Sequence, residues 1–322
     1  MVKNIGLIQI DGDLPNLALM KLSAWHKKMG DKVTIMKDKT ICSRLTPFDK
    51  VYISCIFEEN KKVAEEISEQ FNNVEIGGVG VNNNKLPYEI DHIMPDYEGF
   101  NWNYSLGFTT RGCIRKCNFC KVHNHEGYIK ENCDIYEFWN PKHKEIIIQD
   151  NNILALPEHF KKIAKQIKEN NLIVDFNQGL DHRLLTPELC EILLSLRHKQ
   201  EIRFAFDNVA YKKSVLKAIK MLRKAGLKDW RTRWYVYIGE KDNFESVYER
   251  MKLLRDNKQA VYVMRDKKVA KNPLFVAMAS WGNTMGAFKM GDIPELLQKS
   301  KRFKPYKYLF EPYKEILTSH NV

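Results

Sequence analysis

Apolar residues along this chain fall into two alternating patterns. Short runs, IGLIQI (5–10), KVTIM (32–36), VYISCIF (51–57) and VEIGG (74–78), are separated by LALMKLSAWHKKM (17–29) and KKVAEEISEQF (61–71), where apolar positions recur every three or four residues. The runs read as buried strands, and the longer-period stretches read as amphipathic helices. Strands joined by helix-length connections pair in parallel, because a parallel crossover needs a dozen or more residues. The pattern predicts a small parallel sheet with helices on its faces over residues 1–80. The Asn-rich, Pro-containing stretch 81–104 breaks the alternation and reads as a linker.

A second series follows, with strand candidates SLGFTTRG (105–112), EIIIQD (145–150), LIVDFNQG (172–179), EIRFAFD (201–207), RWYVYIG (233–239) and AVYVMR (260–265). Helical patterns such as PEHFKKIAKQIKEN and NFESVYERMKLLRD lie between them. Six strand–helix units in a row predict a partial (β/α)6 barrel over 105–266, with 267–322 left as a C-terminal extension. The fold class is therefore α/β, an N-terminal Rossmann-like domain followed by the barrel. Sites in such barrels are built from the loops after the strands. Here those positions carry Gln149 and Asp150, Asn177 and Gln178, Asp207 and Asn208, Gly239 and Glu240, and Arg265.

Composition narrows the picture. With 322 residues, 44% hydrophobic and 29% charged, the chain has the balance of a globular protein, and disordered or fibrous classes are excluded. At about 150 residues per domain, two domains are expected. No run approaches the roughly 18 apolar residues of a membrane span, and the N-terminus enters a strand directly, so neither a membrane segment nor a signal peptide is expected. The expected location is cytoplasmic. The net charge of +12 is unevenly placed: residues 1–100 hold 12 basic and 15 acidic residues, the remainder 40 and 25. The capacity to attract a polyanion thus lies in the second part.

Of seven cysteines, Cys42, Cys55, Cys133 and Cys190 stand alone and read as small reduced residues in or near the core. Cys113, Cys117 and Cys120 form a C-x3-C-x2-C run in RGCIRKCNFCKVHNHEG, with Phe119 before the last. Three thiolates on one short loop can ligate three irons of a [4Fe-4S] cluster and leave the fourth iron open. A structural zinc site would want a fourth ligand; there is no second C-x2-C pair, although His123 or His125 could supply one.

This stretch resembles the signature of the radical S-adenosylmethionine superfamily. The resemblance implies that S-adenosylmethionine chelates the open iron and is cleaved by one electron to methionine and a 5′-deoxyadenosyl radical, which takes a hydrogen atom from substrate. It also implies a reducing partner such as flavodoxin or ferredoxin. Carried over position by position, it places Gln149, Asp150 and Asn151 near the methionine part, Asp207 and Asn208 near the ribose, and Gly239 near the adenine, with Phe119 beside the cofactor.

The first domain resembles the cobalamin-binding domain that precedes many such barrels, with Gly77 and Gly78 at its glycine turn. Cobalamin is therefore a possible cofactor. The Asp-x-His-x-x-Gly motif is absent, and only 34 residues separate Gly78 from Cys113. The alternative is a domain kept for packing or substrate contact.

The extension 267–322 carries 10 basic and 4 acidic residues threaded with aromatics, most densely in KSKRFKPYKYLFEPYK. Arg302, Lys304 and Lys307 could contact phosphates while neighbouring rings stack on bases; equally, the rings could pack the extension onto the barrel. The expected function is radical modification of a nucleic acid or nucleotide by methylation, thiolation or rearrangement. A small metabolite or peptide substrate is the alternative within that class. A zinc-stabilised, non-catalytic nucleic-acid-binding protein is the alternative outside it.

Overall fold

The computed structural model describes residues 1–36, 47–82 and 84–319. Strands β1 (Asn4–Gln9), β2 (Lys32–Met36), β3 (Lys50–Ser54) and β4 (Val74–Gly77) form a parallel sheet in the order β2-β1-β3-β4. Side chains alternate between its faces. Ile5 and Leu7 pack with Leu19 and Met20 of helix α1 (Leu17–Lys28), while Ile8 and Ile10 pack with Ala64 and Ile67 of α2 (Lys61–Ser68). Each such fully buried side chain contributes roughly 1.5–3 kcal/mol over leaving it exposed. Helix α1 begins at Asn16, whose side chain accepts from the Leu19 N–H at 3.1 Å.

The stretch expected as a linker is packed. It contains α3 (Tyr88–Asp91) and buries Ile90, Tyr97 and Phe100 in the cluster around α1. The Asn and Pro residues signalled irregular backbone; the aromatic residues among them give that backbone something to bury. Asp96 accepts from Ser23 Oγ at 2.5 Å and Lys27 Nζ at 2.6 Å, and Tyr97 Oη donates to the Phe138 carbonyl at 2.6 Å.

The six later strands are present, the first four shorter than expected and the last two at their expected length, and with one further short strand they form two sheets. β5 (Ser105–Gly107) begins the first. A hairpin of β6 (Thr110–Arg111) and β7 (Lys130–Glu131), with α4 (Val122–Glu126) inside it, then interrupts the series before β8 (Glu145–Ile148). Parallel strands β5, β8, β9 (Ile173–Phe176) and β10 (Arg197–His198) make one sheet; β11 (Ile202–Ala205), β12 (Thr232–Ile238) and β13 (Ala260–Arg265) make the other. A bridge between Leu180 and Phe204 joins them. The single strand expected over 105–112 breaks because Asp150 captures both the N–H and the hydroxyl of Thr109, at 2.6 and 2.5 Å, and turns the chain out of the sheet.

Helices α5 (Pro157–Glu169), α6 (Pro187–Leu194), α7 (Lys212–Lys224) and α8 (Phe244–Asp256) bury one face each against these sheets. Beyond β13 come α9 (Pro273–Asn283), α10 (Met285–Met290), α11 (Ile293–Lys299), α12 (Lys307–Phe310) and α13 (Lys314–Ser319). The rings of this extension pack inward. Trp281, Phe288, Phe303 and Phe310 are buried and Tyr313 stacks on Phe244 of α8 at 4.1 Å, leaving Tyr308 exposed. Arg302, Lys304 and Lys307 face water, Arg302 donating to Ser280 Oγ at 3.1 Å and Lys307 lying 3.9 Å from Glu311. Of the two alternatives for this segment, most of its rings follow the packed one, with Tyr308 exposed and Tyr306 half-buried. Among the described residues no helix is long and apolar enough to cross a membrane.

Candidate functional site

The cysteine loop leaves the β6–β7 hairpin at Gly112, where φ is +82° and an added Cβ would lie 2.4 Å from the Tyr128 carbonyl oxygen, so only glycine fits. Glu126, on α4, ties the start of the loop to its end. Its carboxylate accepts from the Gly112 N–H at 2.9 Å, from Arg111 Nη1 at 3.2 Å and from Asn151 Nδ2 at 2.8 Å.

Three further contacts fasten the loop to residues at or after the carboxyl ends of different strands. After β8, Asn152 donates to Cys113 Sγ at 3.5 Å. After β9, Asp181 accepts from Arg115 Nε at 2.9 Å and from Arg183 Nε at 2.6 Å. On β12, the Tyr237 ring lies against Phe119, with centroids 4.1 Å apart and 19° between planes. The Arg115 backbone N–H also donates to Cys113 Sγ at 3.3 Å.

Cys113, Cys117 and Cys120 are free thiols, Cys117 exposed and the others half-buried. Partial desolvation, together with Cys120 and Asp207, holds the Cys117 thiol above its usual value. Among the described residues no three His, Cys, Asp or Glu side chains are gathered as a metal-holding group. The donor set nevertheless suits an iron–sulfur cluster: three thiols lie within eight residues, and N–H groups already point at one sulfur. His123 and His125 sit on α4 directly after the loop, and the His123 Nδ1 is buried without a partner.

The strand-end residues divide by whether their polar atoms are already engaged. Both carboxylate oxygens of Asp150 are taken by Thr109, Asn151 is held by Glu126, and Asn208 caps the following turn by accepting from the Ala210 N–H at 2.9 Å. Asp207 accepts from the Tyr237 N–H at 3.2 Å, and burial pushes its carboxyl up to about 6. The Gly239 N–H donates to Asp242, and a Cβ at Gly239 would lie 2.9 Å from the Tyr237 ring.

In contrast, Gln149 Oε1, Asn152 Oδ1 and Asn177 Oδ1 are buried acceptors without partners. Gln149 and Asn177 follow the register pair Ile148↔Phe176, so they are neighbours at the ends of adjacent strands. Unpartnered buried carbonyls are uncommon in folded proteins, and a group of them marks a place where a donor is missing.

The two glycines of this turn differ: an added Cβ at Gly77 would meet nothing within 4 Å, whereas Gly78 is closed. Gly78 has φ +110° and a Cβ there would fall 2.2 Å from the Cys55 carbonyl oxygen, so its lack of a side chain serves backbone packing against Cys55. Gly78 therefore leaves no room for a cofactor tail on its side of the turn. Cys55 and Cys190 are core residues whose thiols burial raises to about 11, while Cys133 donates to the Phe108 carbonyl at 3.1 Å. Cys42 lies outside the described residues.

Sequence reasoning missed Glu126, Asn152, Asp181, Tyr237 and Arg250. Glu126 and Asn152 could have been found by proximity to the cysteine run and to the β8 end. The others act across long sequence separations. Arg250 is fully buried on α8, donating to the carbonyls of Tyr237 (2.8 Å), Phe206 (3.3 Å) and Ser246 (3.1 Å) and to Asp242 (2.5 Å).

Asp150 gives a pH signature. Burial outweighs its hydrogen bonds from Thr109 and Thr110 and raises the carboxyl from 3.8 to about 6. Folding then takes up a proton between these values, so this group's contribution is fully present below about pH 4 and is lost as pH rises through about 6. Asp150→Asn is expected to remove that decline. The difference in Tm between variant and wild type should shift in the variant's favour from pH 4 to 7, and a flat difference would refute the assignment.

No protein-family model matches the chain, and no curated protein matches it. Among solved structures it is similar to a double mutant of spore photoproduct lyase with bound AdoMet and dinucleoside spore photoproduct. The TM-score is 0.35 at 9% identity, over 82% of this chain and 78% of that chain, a likeness too distant to carry an argument about activity.

Proposed function

We propose that this chain is a radical S-adenosylmethionine enzyme. In this reading the parallel strands β5, β8, β9, β11, β12 and β13 form a partial barrel, residues 1–80 a Rossmann-like unit beside it, and Cys113, Cys117 and Cys120 hold a [4Fe-4S] cluster. The observation that carries it is the fastening of a C-x3-C-x2-C loop to the strand ends through Asn152, Asp181 and Tyr237, next to the unpartnered acceptors of Gln149, Asn152 and Asn177. When bound, the cluster and S-adenosylmethionine supply one-electron cleavage to methionine and a 5′-deoxyadenosyl radical.

The chain's own residues would do the rest. The three thiols converge on loading, and the Arg115 N–H and Asn152 amide donate to Cys113 sulfur. The free carbonyls of Gln149 and Asn177 suit an ammonium group, a better fit than the engaged carboxylate of Asp150. Asp207 is placed for ribose hydroxyls, and the Phe119–Tyr237 pair and the Gly239 turn bound the adenine side. A flavodoxin or ferredoxin would supply the electron in the cytoplasm, and the charge of the second part favours a nucleic acid or nucleotide substrate.

Anaerobic reconstitution tests this. About four irons and four sulfides per chain are expected, with 5′-deoxyadenosine and methionine formed on adding S-adenosylmethionine and dithionite. Stoichiometric zinc with no such products would sink the reading.

A further inference from the structure

We propose that the solvent face of α7 docks the phosphate backbone of a single-stranded nucleic acid and leads it to the cysteine loop; this deepens the substrate part of the reading above and rests on it. α7 reads KKSVLKAIKMLRK and buries Val215, Ala218, Ile219 and Leu222. Lys213, Lys217, Lys220 and Lys224 are all exposed. At steps of four, three and four residues they fall within roughly 60° of arc on the face opposite the core.

The helix contains no Asp or Glu. Other surface helices pair their lysines internally: Lys61 with Glu65 and Lys62 with Glu66 on α2, Lys165 with Glu169 on α5, Lys252 with Asp256 on α8. On α7, Lys212 reaches Glu249 and Arg223 reaches Asp229, but the four stripe lysines have no carboxylate at ion-pair distance among the described residues. Like charges three and four residues apart repel, and lysines in the first turn oppose the helix dipole. The fold therefore carries a line of uncompensated cations that a polyanion relieves.

The direction of the line selects the ligand. Its near end adjoins the cysteine loop through a chain of contacts: Arg115 with Asp181, Asp181 with Arg183, and the Arg183 guanidinium 4.5 Å over the Tyr211 ring at the start of α7. From there the stripe runs about 16 Å along the helix. A compact acidic protein seated on the cysteine loop would meet only the near lysine, whereas an extended strand reaches both. A single strand is favoured because its nucleotides reach a recessed site without the unstacking and unpairing that a duplex would cost. The tail is the poorer surface, with Phe303 and Phe310 buried, Tyr313 stacked on the barrel and Lys307 close to Glu311.

The test is fluorescence anisotropy of a labelled 20-nucleotide single strand with the reconstituted full chain, across 50–200 mM salt. The variant Lys213→Gln/Lys217→Gln/Lys220→Gln/Lys224→Gln is expected to lower the slope of log affinity against log salt by about 3, four charges at roughly 0.7 each. Glutamine keeps helix propensity, and circular dichroism checks the fold. An unchanged slope overturns the proposal. So does a loss that appears instead in Arg302→Gln/Lys304→Gln/Lys307→Gln, binding restricted to duplex, or a stripe variant weakened only toward flavodoxin. Product assays on wild-type protein separate the two readings: 5′-deoxyadenosine with an unchanged stripe slope fails the docking alone, and no cluster with a reduced slope fails the radical reading alone.

Discussion

Alanine at Cys113, Cys117 and Cys120 together is expected to leave a folded protein that takes up no cluster iron and forms no 5′-deoxyadenosine. The loop is held by contacts that do not use the thiols: Glu126 to Gly112 and Asn151, Asp181 to Arg115, and Phe119 on Tyr237. Removing the sulfurs should therefore cost little stability. Metal affinity should collapse, because even the loss of an outer partner of a metal ligand typically costs 10–100-fold and here the ligands themselves go. Each single alanine variant is expected to lose most of the iron as well. The paired control is Cys190→Ala, in a fully buried thiol distant in sequence from the loop, which should keep its iron while losing some stability through the small cavity left behind. Iron and sulfide assays with absorbance near 400 nm read both. Full iron in the triple variant would remove the cysteine loop from the site.

The reach of sequence reasoning here follows from the range of each interaction. Strands β1, β3, β12 and β13 are legible because their apolar residues are contiguous and their helices lie next to them in the chain. The cysteine run is legible because its chemistry is local. The break after Gly107 is not, since it depends on Asp150 reaching back 41 residues to Thr109. The same holds for Asp181, which meets Arg115 across 66 residues. Gly78 illustrates a different failure: a glycine turn has the same spelling whether its missing side chain admits a ligand or, as here, the Cys55 backbone. In the tail, interleaved Lys and aromatic residues have one pattern for an open stacking surface and for a packed extension. The apolar face of α8 that Tyr313 and Phe310 cover could not be read from those residues.

Arg250→Ala is expected to lower stability by about 3–5 kcal/mol, the usual cost of breaking a buried charge pair by removing one partner. The guanidinium is fully buried and joins four elements of structure: the ends of β11 and β12 through the Phe206 and Tyr237 carbonyls, the turn at Asp242, and its own helix through Ser246. Burial lowers its pKa from the ordinary arginine value, while Asp242 and Asp207 pull it back up.

Alanine leaves those carbonyls and one Asp242 oxygen facing a cavity. Arg250→Lys should recover only part of the loss, because an ammonium is a compact donor and cannot span a planar set of acceptors on both sides of the side chain. The damage should also reach the site. Tyr237 stacks on Phe119 and donates its N–H to Asp207, so loosening the β12 end releases one of the three fastenings of the cysteine loop. Urea unfolding of wild type, R250A and R250K measures the first effect. Reaction of the three loop thiols with a thiol reagent in metal-free protein measures the second, with faster labelling expected in both variants. A loss below about 1 kcal/mol, the size of an ordinary single hydrogen bond, would show that the buried guanidinium does not hold the strand ends together.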